Sequence, residues 1–357
     1  MNQELLHKLL AAGVRHGASD IHFRPGAPPM YRVKKMLAPL KADPLRPEHT
    51  EALARMIAQN ALSRVSLDEV QELDISYSVP GVARFRVNIY RQRGSFAAVL
   101  RIIPSEIPTI ESLGLPPVLA KISEVERGLV LLTGATGSGK SSTLAAMIHR
   151  INQSRMAHIL TIEDPIEFLH GNLRSSVSQR ELGLDTRNYV TGMRAALRQD
   201  PDVILVGEMR DAESFDIALK AAETGHVVFS TVHTTDAAKT VGRVLSVFPS
   251  DEQSTVRQRL AENLRATVSQ RLLPRADGTG LVVACEVMLV TGSIREVILD
   301  PEQGSIKDLI EQGRQQYDMQ SFDQHLTELY TRGVITKDVA LEAATNAADF
   351  ERNLSFV

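Results

Sequence analysis

The chain has 357 residues, enough for about two domains, and its 43% hydrophobic residues are ordinary for a globular protein. With 40 basic against 43 acidic residues the formal net charge is −3, which offers no global basic field to draw nucleic acid. Cys285 is the only cysteine, so one chain holds neither a disulfide nor a cysteine zinc site, and no apolar run reaches the ~18 residues of a membrane span.

The first ten residues carry Glu4, His7 and Lys8 among their leucines, unlike a secretory signal, so a cytoplasmic location is expected. Residues 2–16 read as a helix with Leu5, Leu6, Leu9, Leu10 and Val14 on one face. Strands are expected at 20–23 and 30–33 around the turn 25–29, then a helix with Pro47 in its first turn and Leu53, Met56 and Ile57 inward. Residues 73–79 and 82–91 alternate on either side of Pro80-Gly81, a hairpin signature, and 95–103 follows as a third strand. Residues 1–103 thus form a small α+β domain. In its hairpin Phe85, Val87 and Ile89 share one face, and Arg84, Arg86 and Asn88 the other, with Arg101 near the end of the next strand. Two readings of these arginines stand open: a solvated sheet face, or a group reaching a γ-phosphate. Residues 104–117 hold Pro104, Pro108, Pro116 and Pro117 and read as a stiffened linker.

From residue 118 the pattern turns α/β. Apolar, β-rich runs at 128–133, 157–162, 203–207 and 227–233 alternate with helical stretches, which predicts a largely parallel sheet with ligands at the carboxyl ends of its strands. After the first run stands Gly134-Ala135-Thr136-Gly137-Ser138-Gly139-Lys140-Ser141, followed by Ser142 and a helical stretch. Strand, glycine loop and helix is the context of a phosphate-binding loop. Its glycines let successive N–H groups turn toward one anion, and the helix N-terminus adds positive charge at the same point. Lys140 would neutralise the β/γ-phosphates of ATP, and the Ser141 hydroxyl would ligate Mg²⁺.

Three further strand ends bring acids and histidines. The run 157–162 delivers Glu163-Asp164-Pro165, where Glu163 reads either as a general base for water or as an acidic turn. The run 203–207 delivers Glu208, which would hold Mg²⁺ because Gly207 fills the usual aspartate position; Arg210 and Asp211 read as a structural pair. His226 and His233 bracket 227–232 and suggest a γ-phosphate sensor. A metal shared by the two is disfavoured, since they stand roughly 23 Å apart at ~3.3 Å per residue.

In this order, 134–141, 161–167, 204–211 and 225–234 resemble the Walker A, aspartate, Walker B and histidine boxes of the secretion ATPase superfamily. The stretches 17–22 and 79–88 are similar to its type IV pilus retraction (PilT-like) branch. The resemblance implies an α/β chain with a PAS-like α+β domain (1–103), a RecA-like P-loop ATPase domain (118–290) and a C-terminal helical region (291–357). It implies a cytoplasmic homohexamer, peripheral at the inner membrane through a pilus platform protein, with Arg86 and Arg101 approaching ATP. Assembly ATPases of the superfamily typically carry a tetracysteine zinc module, which one cysteine cannot supply. The chain departs from the pattern at Ala135, Ser142 and Ser230, and at 293–300, where retraction ATPases carry a motif whose last two positions differ here. Another pilus-assembly or secretion ATPase is the alternative. A nucleic-acid translocase is disfavoured by the charge balance and by 4% aromatic residues, and a small-molecule kinase by the lack of a lid pattern.

Overall fold

The computed structural model describes residues 2–59, 67, 71–104 and 106–354, with Asn353 described by its backbone alone. Residue 105 of the expected linker and 355–357 of the expected C-terminal region lie outside the described residues. The chain divides into two compact units. The first comprises Met1–Glu106, Asp164–Leu169 and Arg180–Asn188; the second comprises Ile107–Glu163, His170–Gln179 and Tyr189–Val357.

In the first unit, α1 (Gln3–Arg15) starts where the Asn2 side chain accepts the Leu5 N–H at 2.9 Å. Leu6 and Leu10 are fully buried, whereas Leu5 is 48% exposed. Leu5 therefore falls off the buried face expected for it, because Leu6 and Leu10 centre that face one helical step away. The strands are β1 (Asp20–Phe23), β2 (Met30–Val33), β3 (Met36–Pro39), β4 (Glu72–Val79), β5 (Ala83–Gln92) and β6 (Ser95–Ile103), with α2 (Pro47–Ala58) between β3 and β4. They pair antiparallel throughout in the order β3-β2-β1-β6-β5-β4. β3 was not expected: all four of its residues are exposed, so it carries no alternation and is held by pairing with β2. Phe23, Phe85, Val87, Ile89 and Leu100 of the sheet pack with Leu53 and Ile57 of α2. Burying each such side chain stabilises the unit by roughly 1.5–3 kcal/mol.

The second unit contains α3 (Val118–Ser123), β7 (Gly128–Thr133), α4 (Lys140–Ser154), β8 (His158–Glu163), β9 (Ser176–Glu181), α5 (Tyr189–Ala196), β10 (Val203–Val206), α6 (Ala212–Glu223), β11 (Val227–Val232), α7 (Ala237–Ser246), α8 (Gln253–Asn263), β12 (Leu264–Pro274) and β13 (Leu281–Leu289). The C-terminal helices are α9 (Gly292–Leu299), α10 (Ile306–Gln312), α11 (Arg314–Tyr317), α12 (Phe322–Thr331), α13 (Lys337–Ala343) and α14 (Ala347–Leu354). One sheet runs β13-β12-β7-β11-β10-β8-β9. β12, β7, β11, β10 and β8 are parallel neighbours, and β13 is antiparallel to β12. Every residue of β7, β10 and β11 is buried, which is why these strands read as unbroken apolar runs. β9, β12 and β13 add to the four expected strands. Phe322, Leu326, Leu329, Ile335 and Phe350 cluster with Leu273, Val282 and Ala284.

Candidate active site

The site is built at the carboxyl ends of β7, β11, β10 and β8, which lie side by side. β7 ends at Thr133 and the chain enters the glycine loop. Gly134 leaves no room for a side chain: a Cβ there would lie 2.5 Å from Ser138 Oγ and 2.6 Å from the Gln270 carbonyl. Gly139 turns the loop into α4 with φ +92°, a left-handed conformation, and no side chain caps that helix. α6 and α7, in contrast, are capped by Asp211 and Asp236. The first turn of α4 is thus open to an external anion, where the helix dipole favours negative charge.

Lys140 is only 7% exposed. Its Nζ donates to the Gly134 carbonyl at 2.8 Å and the Ala135 carbonyl at 2.9 Å, so the ammonium sits within the loop. Burial holds its pKa below the ordinary lysine range, and the Glu208 carboxylate offsets part of that. Ser138 Oγ is buried with no hydrogen-bond partner among the described residues. A cation, an open helix start and an orphaned hydroxyl around one loop fit a phosphate group. Behind the loop, Gln270 of β12 donates from Nε2 to Thr143 Oγ1 of α4 at 2.9 Å, and Thr133 Oγ1 donates to Ser269 Oγ at 2.9 Å. These buried bonds lock α4 and β7 to β12. No sequence pattern pointed to Gln270, because its partners are distant in the chain.

Glu163 is the last residue of β8. Its Oε1 accepts from Thr161 Oγ1 at 2.6 Å and from Gln179 Nε2 at 3.0 Å, which orients the carboxylate at the strand end. Glu208 follows β10 on a turn fastened to β11. Ser230 Oγ donates to the Val206 carbonyl at 2.8 Å, Thr231 Oγ1 to the Gly207 carbonyl at 2.7 Å, and the Met209 N–H to the Thr231 carbonyl at 3.2 Å. Ser230, one of the departures noted in the sequence, is therefore a buried and satisfied residue. A Cβ on Gly207 would lie 2.8 Å from Tyr189 Oη, so Tyr189 fills the space where an aspartate side chain would stand. Gly207 was the only signal in the sequence for that neighbour.

Glu208 contacts Arg210 Nη2 at 2.6 Å and His233 Nε2 at 3.4 Å. Arg210 accordingly pairs with Glu208 and not with Asp211, which caps α6 by accepting the Ser214 N–H. The Ser141 hydroxyl and the Glu208 carboxylate are hard oxygen donors of the kind Mg²⁺ takes. The two histidines separate. His233 follows β11 beside Glu208, but His226 precedes β11, level with Gly128 at the start of β7. There its Nδ1 lies 3.0 Å from the Ala221 carbonyl, and its own carbonyl accepts the Gly128 N–H. A parallel sheet gathers only one end of each strand at a site, so within this unit His226 does not join Lys140, Ser141, Glu208 and His233.

Arg86 and Arg101 belong to the first unit. Arg86 is exposed on the outer face of β5. Arg101 Nε donates to Asp20 Oδ1 at 3.0 Å, and Arg84 pairs with the buried Glu181 at 2.7 Å, which also accepts the Ile166 N–H.

A family model for type II/IV secretion system proteins matches residues 1–348. The chain is 46% identical over 343 residues to a Pseudomonas aeruginosa protein described as the type IV pilus retraction ATPase PilT, covering 96% of this chain and 99% of that protein. The P. aeruginosa type IV pilus ATPase PilU is 41% identical over 342 residues, covering 96% of this chain and 89% of PilU. A crystal structure of the pilus retraction motor PilT with bound ADP superposes with a TM-score of 0.88 at 43% identity, over 97% of this chain and 99% of that one. With a family model spanning nearly the whole chain and relatives this similar across it, the chain belongs to the type II/IV secretion system protein family.

Proposed function

We propose that the chain is an ATPase motor that drives type IV pilus retraction, the basis of twitching motility. The observation that carries this reading is the gathering of Lys140, Glu163, Glu208 and His233 at neighbouring strand ends, in a chain similar to a pilus retraction ATPase over nearly its full length. In this reading the first unit is PAS-like and the second RecA-like. Residues 134–142 hold the triphosphate, Lys140 neutralises it, and Glu163 polarises the attacking water. His233 reports the γ-phosphate through its contact with Glu208. Ser141 and Glu208 would hold Mg²⁺, which when bound supplies charge neutralisation on the phosphate oxygens. Arg86 and Arg101 approach the nucleotide from the PAS-like part. His226 enters only as a residue of another role, since its own unit keeps it from the loop.

The working form is a cytoplasmic homohexamer, held at the inner membrane by a platform protein of the pilus machine. Among the described residues no helix is long and apolar enough to cross a membrane. The test pairs chemistry with phenotype. Glu163→Gln should bind ATP and lose turnover by about 10²–10⁴-fold. Deletion of the gene should leave cells hyperpiliated and unable to twitch. Normal turnover in Glu163→Gln would remove the assigned base, and loss of pili on deletion would assign assembly instead of retraction.

A further inference from the structure

Glu286 of β13 is 6% exposed and shares a strand face with Val282 and Ala284, which pack on the C-terminal helices. Its Oε1 accepts the N–H of Ala237, the first residue of α7, at 2.7 Å. The preceding residue, Asp236, accepts the Lys239 N–H at 2.8 Å, so two carboxylates serve one helix start. Only Thr234, Thr235 and Asp236 separate His233 from Ala237. That segment is cross-braced: Thr234 Oγ1 lies 2.7 Å from Thr240 Oγ1, which donates to the Asp236 carbonyl at 2.7 Å. It is therefore held at one end by the contact of His233 with Glu208 and at the other by Glu286.

We propose that Glu286 is a positioning residue for the ATPase site: its carboxylate fixes the start of α7 and, through the short segment before it, sets the His233 ring against Glu208. The inference rests on the functional reading above. Glutamine would offer the same acceptor without the penalty of burying a charge, but a charged acceptor holds a helix start more firmly.

The surroundings make that charge sensitive to pH. Burial raises the Glu286 pKa, the Ala237 N–H lowers it, Asp236 raises it, and Arg271 of β12 and Lys307 of α10 lower it, leaving it pushed up to about 7. Lys307 is shared with Glu311 at 3.8 Å and Asp323 at 3.4 Å, and Arg271 stacks over Phe322 of α12 at 3.9 Å. His325 of α12 accepts the Cys285 N–H on Nδ1, and burial holds its pKa below the ordinary histidine range. Loss of the Glu286 proton therefore spans neutrality, and the segment carrying His233 tightens as the group ionises.

The test is steady-state ATPase activity of the full chain from pH 5.5 to 8.5, with melting temperatures at each pH, for the wild type and Glu286→Gln. The wild type should lose about fivefold in kcat, with KM unchanged, between pH 8 and pH 6. Glu286→Gln should start lower at pH 8 and lack that limb. A carboxyl whose folded pKa lies above its ordinary 4.5 burdens the fold fully above about pH 7 and is relieved as pH falls toward 4.5. Glu286→Gln should therefore melt higher than the wild type at pH 8, with the gap closing toward pH 5.5. Superimposable activity profiles, or equal melting temperatures at pH 8, would overturn the proposal while leaving the functional reading intact. A folded wild type with no turnover at any pH would overturn both.

Discussion

The two ends of the sheet in the second unit carry similar residue types but treat them differently. At the amino end several polar groups are closed on neighbouring backbone or side chains. Asp202 accepts the His158 N–H at 2.7 Å, His158 Nε2 meets Ser178 Oγ at 3.0 Å, and His226 Nδ1 meets the Ala221 carbonyl. At the carboxyl end the bonding is incomplete: Ser138 Oγ and Gln270 Oε1 are buried without partners among the described residues, and α4 starts without a cap. Burying a polar group unpaired costs about 1–3 kcal/mol. Where such groups surround an uncapped helix start, they mark a place that a ligand can complete.

The largest way to break that contrast is Lys140→Ala. It removes the one ammonium inside the loop, and turnover should fall by about 10²–10³-fold or more, with nucleotide binding weakened in a fluorescence titration. Retained turnover would mean that the open end of the sheet is not where phosphate sits. A smaller effect is expected at Gly207. Gly207→Ala sets a methyl 2.8 Å from Tyr189 Oη and should destabilise the fold by about 1–3 kcal/mol in chemical denaturation. Adding Tyr189→Phe removes the clashing oxygen and should recover part of the loss. No recovery would show that Tyr189 is not the obstacle. The histidines then test the contrast directly. His233→Ala should lower kcat by about tenfold, whereas His226→Ala should stay within about twofold. Equal losses would contradict the separation of the two strand ends.

The glycine loop was legible because its signature is local: the apolar run 129–132, then Gly134, Gly137, Gly139 and Lys140 in one stretch. The fully buried parallel strands were legible for the same reason. The sequence also showed Glu163 and Glu208 as strand-end acids, since each follows directly on an apolar run. What stayed hidden depends on contacts between distant residues. β3 has no apolar alternation to find, and the separation of His226 from His233 follows from strand direction, to which a pair of flanking histidines is blind. Gln270 and Thr143 are 127 positions apart, and nothing at either one announces the other. Gly207 came closest to a long-range signal, because a missing side chain where an acid is usual implies that something else fills the space.

The smallest expected effect concerns Arg101, and it sharpens the comparison by asking what a satisfied surface pair contributes. Arg101 is 70% exposed at the side chain, whereas its partner Asp20 is 9% exposed. Removing Arg101 leaves Asp20 with the Ser19 hydroxyl at 2.8 Å and Arg32 at 3.7 Å, so Arg101→Ala should cost no more than about 1 kcal/mol, water screening the exposed partner. Burial alone would raise the Asp20 pKa, but Ser19 and Arg101 outweigh it and hold the carboxyl below its ordinary 3.8. A depressed pKa contributes stability that is present above 3.8 and lost as pH falls through the lower folded value. The gap in melting temperature between wild type and Arg101→Ala should therefore be full at pH 7 and narrow below pH 3.8. A gap that is constant across this range would mean that Arg101 acts through packing and not through Asp20. If turnover drops more than about tenfold while the melting temperature barely moves, Arg101 serves the phosphates and its bond to Asp20 is the arrangement from which it is recruited.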